Sequence, residues 1–133
     1  MGSFWVGNSF FQLIPAGDCL IGTPEGDLLA WTDEFPEHKF EIPYVYWCAR
    51  FPLTNRQFEQ FVKATAYRTQ AEQAGWAYVF HPREMKWEQV PGANWRHPTG
   101  PAGAIENLRE HPVVNVSFID ALAYLDWLNA EHS

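Results

Sequence analysis

The stretch TNRQFEQFVKATAYRTQAEQAGWAYVF, residues 54–80, decides the fold because it holds the clearest helix and strand signals of the chain. Its first part predicts an amphipathic helix, since four side chains recur at positions i, i+3, i+4 and i+7 and would share one face: Phe58, Phe61, Val62 and Thr65. Thr54 followed three positions later by Gln57 is a capping-box signature. The helix is therefore predicted to begin at Asn55.

The second part of the same stretch predicts a shorter helix and a strand. Thr69 and Glu72 repeat the capping-box spacing, and Gly75 stands where a helix that ends in the left-handed conformation needs glycine. The apolar run WAYVF, residues 76–80, has the composition of a strand. Helices and strands in one short chain indicate a mixed α+β domain.

On the amino-terminal side, short apolar runs predict strands. SFFQLIPAG, residues 9–17, and CLIG, residues 19–22, predict a β-hairpin with a loose turn. Residues 23–36 are rich in glycine, proline and acidic side chains, and they predict a long loop. HKFEIPYVYWCARFP, residues 38–52, returns to strand composition, with Pro43 marking an edge or a bulge.

The carboxyl-terminal side is irregular until a third helix. Residues 81–112 show no sustained period, because their prolines and glycines restrict regular structure. VVNV, residues 113–116, predicts a buried strand or an extended segment. Ser117 and Asp120 have the spacing of a helix cap, and the apolar stripe of this helix would be Ala121, Tyr124, Leu125 and Leu128. We expect the helix either to fold back on the preceding hairpins or to have its natural partner outside this chain.

Length and charge limit the classes of function. The chain of 133 residues suits one domain, and its net charge of −7 with scattered basic residues argues against nucleic-acid binding. It contains no apolar run long enough for a membrane helix and no recognisable secretory signal. We therefore expect a soluble cytoplasmic protein that binds neither nucleic acid nor membrane.

Cysteines and histidines give no pattern of metal ligands or nucleophiles. Cys19 and Cys48 lie in apolar runs, which predicts small buried side chains, with a disulfide between neighbouring strands or a reactive thiol as alternatives. The histidines lack the close spacing of metal ligands: His38, His81, His97, His111 and His132. We expect no metal site on these positions and assign no catalytic residue.

Aromatic side chains are unusually frequent and leave two interpretations open. Four of them are rigid and apolar with polar tips, which suits a groove for an extended peptide or a small ligand but equally suits the core of an irregular domain: Trp76, Tyr78, Trp87 and Trp95. Arg96 can stack on a tryptophan ring, or pair with an acidic residue and so fix the loop GANWRHPTGP, residues 92–101.

Longer motifs resemble one known family. In order along the chain, LIPAGDCLIGTP, the run from residue 36 to residue 80, VPGANWRHPTGP and HPVVNVSFIDALAYLDWLNA resemble the first half of the formylglycine-generating enzymes, also called sulfatase-modifying factor domains. The succession of TNRQFEQFVKATAY, GANWRHPTGP and HPVVNVSFIDALAY is the most specific part. The resemblance extends over nearly the whole chain.

The resemblance implies a C-type-lectin-like α+β fold with little regular secondary structure, of which residues 1–133 would be the amino-terminal portion. Active members oxidise a cysteine in a sulfatase-type motif to formylglycine, using oxygen and, in aerobic enzymes, copper(I) held by two cysteines. In the family this cysteine pair and the calcium ligands lie in the carboxyl-terminal half, and Cys19 and Cys48 do not match the pair. The resemblance thus implies that this chain is inactive by itself.

The resemblance to the family also implies substrate-binding residues at individual positions of this chain. Trp76 and Ala77, directly after the short helix, match positions that line the substrate groove, and Asn94, Trp95 and Arg96 lie in the adjoining irregular region. The implied function is part of a formylglycine-generating oxidoreductase, with this chain supplying scaffold and groove. The alternative is a non-catalytic module that binds a peptide or a partner protein. Implied partners are a substrate protein or peptide, and a complementary carboxyl-terminal chain or a second copy of this chain.

Overall fold

The computed structural model describes residues 2–6 and 9–131 and divides into two compact units between Arg50 and Phe51. Strands make up the regular structure described in the first unit, apart from one 3-10 turn, and helices and a hairpin make up that of the second. This content, with much irregular chain, confirms the predicted α+β class. Among the described residues, no helix is long and apolar enough to cross a membrane.

The first unit contains two antiparallel sheets. Its strands are β1 (Ser3–Val6), β2 (Ser9–Ile14), β3 (Gly17–Ile21), β4 (His38–Ile42) and β5 (Tyr46–Ala49). One sheet has the order β1-β2-β5, and β3 pairs with β4 in the other. As predicted, residues 23–36 form a loop, with one 3-10 turn at Thr32–Glu34. Pro43 does not mark an edge or a bulge within one strand, because it lies in the break between β4 and β5, which belong to different sheets.

The prediction that residues 9–17 and 19–22 form a β-hairpin is wrong, because β2 and β3 do not pair. β2 lies in the middle of its sheet, where Phe11 faces Phe4 of β1 on one side and Ala49 of β5 on the other. Both hydrogen-bonding edges of β2 are therefore occupied, and β3 pairs with β4, where Cys19 lies opposite Phe40. β3 and β4 are joined by the long loop at residues 23–36. Their pairing therefore cannot be predicted from a local turn signal.

The helices of the second unit begin where the sequence predicts. They are α1 (Asn55–Thr65), α2 (Gln70–Ala74) and α3 (Phe118–Glu131). Both predicted capping boxes at the first two helices are confirmed; at α1 the Thr54 backbone N–H donates to Gln57 Oε1 at 2.8 Å. Gly75 ends α2 with a φ of 80°, a conformation that favours glycine.

The buried face of α1 differs from the prediction at its last turn. Phe58 and Phe61 are each 1% exposed, and Asn55 and Val62 are also buried. Thr65 is exposed, and its hydroxyl donates to the Phe61 carbonyl at 2.8 Å. Because α1 ends at Thr65, the last turn lies beyond the core that the earlier residues fill.

The strand predicted after α2 is confirmed and has an unpredicted partner. β6 (Trp76–His81) pairs antiparallel with β7 (Lys86–Pro91). The expectation that residues 81–112 lack regular structure is therefore wrong for β7. Its alternation is short and lies among prolines, so the sequence signal is weak, and pairing with β6 supplies the hydrogen bonds that stabilise it.

The third helix has the predicted cap. The Ser117 backbone N–H donates to Asp120 Oδ2 at 2.7 Å, and the Asp120 N–H donates to Ser117 Oγ at 3.2 Å. Residues 113–116 do not form a strand, and they are not extended throughout, since Asn115 lies in a bend. Within this segment Asn115 has a φ of 56°, a left-handed conformation that Asn tolerates better than most residues.

The predicted stripe of α3 is half wrong. Tyr124 and Leu128 are buried, whereas Ala121 and Leu125 are exposed. The Tyr124 ring packs edge-on against Phe61 of α1, with centroids 5.6 Å apart. This contact turns Asp120, Tyr124 and Leu128 inward and leaves the stripe's other two residues in solvent.

The core of the second unit is built largely from aromatic rings. Trp95 is fully buried, and its ring meets Phe58 edge-on at 5.2 Å between centroids. Ala77, Val79 and Ala93 form a further buried cluster beneath the β6–β7 hairpin. Trp95 thus belongs to the core, as the second interpretation of the aromatic residues predicts.

Candidate functional site

The second unit contains a groove of about 730 Å³. Residues of α2 form one wall, residues 115–117 form another, and the first residues of β6, Trp76 to Tyr78, complete the lining. No lining residue carries a formal charge, and glutamine, asparagine and serine supply the polar groups. Such an apolar groove with a few polar groups is typical of a binding site.

Two aromatic rings form the accessible apolar surface of this groove. Trp76 and Tyr78 alternate on β6 and therefore point to the same side of the hairpin, where their rings meet edge-on at 5.2 Å. Trp76 is half-buried and Tyr78 is exposed, whereas Ala77 between them faces the buried cluster. Because both rings keep accessible faces and polar tips, they can contact an extended chain.

One buried carboxylate joins the two walls of the groove. Asp120 is fully buried, and its Oδ1 accepts hydrogen bonds from the Tyr67 hydroxyl at 2.9 Å and from the Gln70 backbone at 3.0 Å. Its Oδ2 accepts from the Ser117 backbone at 2.7 Å. Gln70 and Ser117 both line the groove, so Asp120 joins two segments of its lining.

The same contact changes the titration of Tyr67. Burial, together with the hydrogen bond to Asp120 and the charge of that carboxylate, raises the pKa of the Tyr67 hydroxyl above its usual 10.0. Tyr67 therefore stays neutral and continues to donate to Asp120 throughout the physiological pH range.

Asn94 organises the loop at residues 92–101 through hydrogen bonds to its backbone. Asn94 Oδ1 accepts from the backbone N–H groups of Arg96 at 2.8 Å and His97 at 3.2 Å, and its Nδ2 donates to the Gly92 carbonyl at 3.2 Å. The Asn115 amide donates to the carbonyls of Asn94 at 3.3 Å and Pro98 at 3.0 Å, which ties this loop to one wall of the groove.

Arg96 makes both of the contacts that the sequence left as alternatives. Its guanidinium lies over the Trp95 ring at 4.2 Å from the centroid, and its Nε lies 3.5 Å from a carboxylate oxygen of Glu72 on α2. Arg96 thereby links the loop to the helix that forms one wall of the groove.

The five residues predicted to bind substrate fall into two groups. Trp76 and Ala77 line the groove, whereas Asn94, Trp95 and Arg96 lie outside its lining. The substrate-binding set omitted Tyr78, which the sequence named only among the aromatic residues that suit a groove or a core, although it shares a face with Trp76 on β6. It also missed Asn115, for which the sequence offers no signal.

The cysteines differ from the expectation of small buried side chains. Cys19 is partly buried and its thiol donates to the Phe40 carbonyl at 3.4 Å, while Cys48 is exposed. Both are free, and they lie on strands of different sheets, so they do not form the alternative disulfide. Across residues 2–6 and 9–131, no three His, Cys, Asp or Glu side chains cluster as a metal site would require; His132 lies outside the described residues.

Comparison with known proteins places these features in a family context. The sulfatase-modifying factor enzyme 1-like domain matches residues 9–131. The chain is 38% identical to the formylglycine-generating enzyme of Thermomonospora curvata, across 86% of this chain and 42% of that protein. It is 36% identical to the formylglycine-generating enzyme of Bos taurus, across 86% of this chain and 34% of that protein.

A relative with a different name is equally similar. The chain is 41% identical to a Mus musculus protein named inactive C-alpha-formylglycine-generating enzyme 2, across 86% of this chain and 41% of that protein. The chain thus spans less than half the length of each of these relatives. The solved structure of PvdO from Pseudomonas aeruginosa matches with a TM-score of 0.61 at 20% identity, over 98% of this chain and 44% of that one, and it supports the fold alone.

Proposed function

The chain belongs to the family of sulfatase-modifying factor enzyme 1-like domains, and on that premise we propose that it is part of a formylglycine-generating oxidoreductase. Such an enzyme converts a cysteine of a substrate protein to formylglycine. This chain contributes the scaffold and the groove that receives the substrate peptide. The observation that carries the proposal is the uncharged groove whose accessible rings, Trp76 and Tyr78, lie directly after α2.

Each residue of the predicted set has a role in this proposal. Trp76 contacts the peptide through its ring, and Ala77 leaves room for the peptide because its side chain is small and faces the core. Asn94, Trp95 and Arg96 act through position, since Trp95 fills the core and Arg96 holds α2 through Glu72. These three are positioning residues of the groove.

The oxidation chemistry is not assigned to this chain. Bound copper(I) would supply the activation of oxygen, and soft thiolates are its preferred ligands. The residues present do not fit that ion, because Cys19 and Cys48 lie on strands of different sheets and each thiol donates to a nearby carbonyl. Within the described residues the acidic side chains likewise form no cluster for calcium. We assign copper and calcium to the part of the family domain that this chain does not span.

That remaining part is also the first partner we propose, as a continuation of this chain or as a separate one. A second copy of this chain is the other partner we propose. The cytoplasmic location stays a prediction from the sequence.

Peptide binding tests the groove directly. A fluorescein-labelled sulfatase peptide that contains the target cysteine is titrated with the 133-residue chain, and binding is followed by fluorescence anisotropy. Trp76→Ala is expected to weaken binding by roughly tenfold, since a central aromatic side chain often carries more than 1.4 kcal/mol of binding energy. Trp87→Ala is the matched control, because Trp87 lies on the same hairpin but outside the groove lining.

Equal losses in the two tryptophan variants would show that the groove is not the binding site. Binding of the unrelated reversed peptide with the same affinity would show that the chain does not recognise a sulfatase motif.

The alternative function is a non-catalytic module that binds a peptide or a partner protein. It is favoured by the 41% identity to a relative named inactive. An assay of the full natural gene product that contains these residues distinguishes the oxidoreductase from the binding module. Formation of an aldehyde on the sulfatase peptide, detected with a hydrazide probe in the presence of copper and oxygen, supports the enzyme. Tight binding without any aldehyde supports the module.

A further inference from the structure

A second cavity, of about 180 Å³, lies where the loop at residues 92–101 meets the first turns of α1. It shares no residue with the groove. Its lining is strongly charged, with three arginines and two glutamates: Arg56, Arg96, Arg109, Glu59 and Glu106. The uncharged groove has no such lining, so the two sites suit different ligands.

Two of the three arginines already have acidic partners. Arg56 donates to Glu110 at 3.1 Å, and Arg109 donates to Glu59 at 2.7 Å. A hydrogen bond from Lys63 and the positive charges around it, those of Arg109 and Arg96 included, lower the pKa of Glu59, so it is ionised at neutral pH. These pairs therefore leave little free charge on Arg56, Arg109 or Glu59.

Arg96 keeps free donor groups for a ligand, and Glu106 keeps a free charge. The Arg96 guanidinium is held against Trp95 at 4.2 Å, and its only ion pair among the described residues is the long contact of Nε with Glu72 at 3.5 Å. No hydrogen bond joins its terminal amino groups to another described residue. Glu106 is exposed and, within the same part of the chain, has no ion pair or hydrogen bond.

A buried acceptor lies in the same cavity lining. Asn55 is 2% exposed, and its Nδ2 donates to the Leu108 carbonyl at 2.8 Å. Its Oδ1 has no donor among the described residues. A buried polar atom without a partner costs free energy, so a hydrogen-bond donor at this position would be stabilising.

We infer that this cavity binds a small zwitterion, an α-amino acid, with its carboxylate on Arg96 and its ammonium at Glu106 and Asn55. A simple anion would leave Glu106 unpaired, and a simple cation would leave the terminal amino groups of Arg96 without an acceptor. A stacked guanidinium is preorganised for a carboxylate, and an ammonium has three donors to offer. The cavity of about 180 Å³ is large enough for a ligand of this size. This site shares no lining residue with the proposed peptide groove, although Arg96 also holds α2 through Glu72.

Titration of the ¹⁵N-labelled chain with L-alanine tests the inference by NMR. The Arg96 Nε–H and Asn55 amide side-chain signals are expected to shift saturably, with half-saturation at or below roughly 10 mM, a weak affinity on the usual scale. Acetate and ethylammonium each carry only one of the two charges, and each is expected to bind at least about tenfold more weakly. The absence of any saturable shift would overturn the inference, as would acetate binding as tightly as L-alanine.

Charge-matched variants locate the site. Arg96→Lys keeps the charge but loses the stacked, forked donors, so it is expected to weaken L-alanine binding by roughly tenfold. Glu106→Gln is expected to weaken L-alanine binding without weakening acetate binding. Arg83→Lys is the control for the arginine change, since Arg83 is exposed in the turn between β6 and β7, outside the cavity. If the Arg83 variant lost as much binding as the Arg96 variant, or if Glu106→Gln had no effect, the site would be excluded.

Discussion

At the scale of single residues, buried polar side chains hold this structure together by satisfying backbone groups. Asn55, Thr69 and Asp120 are at most 2% exposed. Thr69 caps α2, Asn55 holds the Leu108 carbonyl, and Asp120 serves two helix starts at once. The negative charge of Asp120 also lies at the positive ends of those helices, which adds to its stabilising effect.

Replacing Asp120 should therefore destabilise the protein strongly. Asp120→Ala leaves the Tyr67 hydroxyl and the backbone N–H groups of Gln70 and Ser117 without an acceptor, and it is expected to lower the free energy of unfolding by about 3 kcal/mol. Urea unfolding followed by circular dichroism measures the change. Asp126→Ala, at an exposed position of the same helix, should change stability by less than about 0.5 kcal/mol. Similar effects of the two variants would contradict the bridging role.

Because the pKa of the Tyr67 hydroxyl is raised, we expect the protein to lose stability at alkaline pH. The raised pKa means that the folded protein holds the hydroxyl proton more tightly than the unfolded chain does. The resulting stabilisation is fully present below pH 10 and is lost as the pH rises through the folded-state value. In Tyr67→Phe this component of the pH dependence should disappear, as measured by urea midpoints between pH 8 and pH 11.5. An unchanged slope in the variant would show that other groups cause it.

At the scale of elements, tertiary contacts rather than the apolar pattern of the sequence decide which face of α3 is buried. Its inward face follows Tyr124, which packs on Phe61, and Leu128 lies one turn further along the same face. Its outward face carries apolar side chains as well: Phe118, Ile119, Leu122 and Leu125. Because the helix is apolar on both faces, its sequence pattern alone does not decide which face is buried.

Leu125 and Leu128, one turn apart on α3, test which face of this helix is buried. Leu128→Ala is expected to cost about 2–4 kcal/mol of stability, because it removes a side chain that is only 9% exposed. Leu125→Ala should cost less than about 1 kcal/mol, since Leu125 is 45% exposed. Urea unfolding of the two variants under one set of conditions gives the comparison, and a reversed order would show that α3 buries its other face.

At the scale of the whole molecule, the chain spans less than half of its relatives and exposes much apolar surface. Phe118 is 77% exposed and Ile119 is 55% exposed at the start of α3. Contiguous apolar surface of this kind is typical of an interaction site. It agrees with the proposed partnership with the remaining part of the family domain.

The outward face of α3 should therefore bind ANS, a dye that fluoresces on apolar surfaces, in the native state at neutral pH. The double variant Ile119→Gln and Leu122→Gln is expected to lose at least roughly half of the fluorescence, because it replaces the middle of this face. Ala64→Gln, a neutral change at an exposed position of α1, should leave the fluorescence unchanged. Equal fluorescence in the double variant would show that the dye binds elsewhere.

The sequence by itself determined the features that depend on residues three or four positions apart. The boxes at Thr54, Thr69 and Ser117 set the starts of the three helices, and Gly75 set the end of the second. The family motifs likewise sufficed for the α+β class and the family. These signals are local, because a cap is made by side chains and N–H groups within one turn.

Only the tertiary structure decided which distant residues meet. It paired β3 with β4, gave β6 its partner β7, and turned Leu125 out of the core. It also divided the predicted substrate residues, leaving Trp76 in the groove and placing Trp95 in the core. Composition could not separate these two tryptophans, because an indole ring has the same affinity for an apolar core and an apolar groove, and the chain packed around it decides between them.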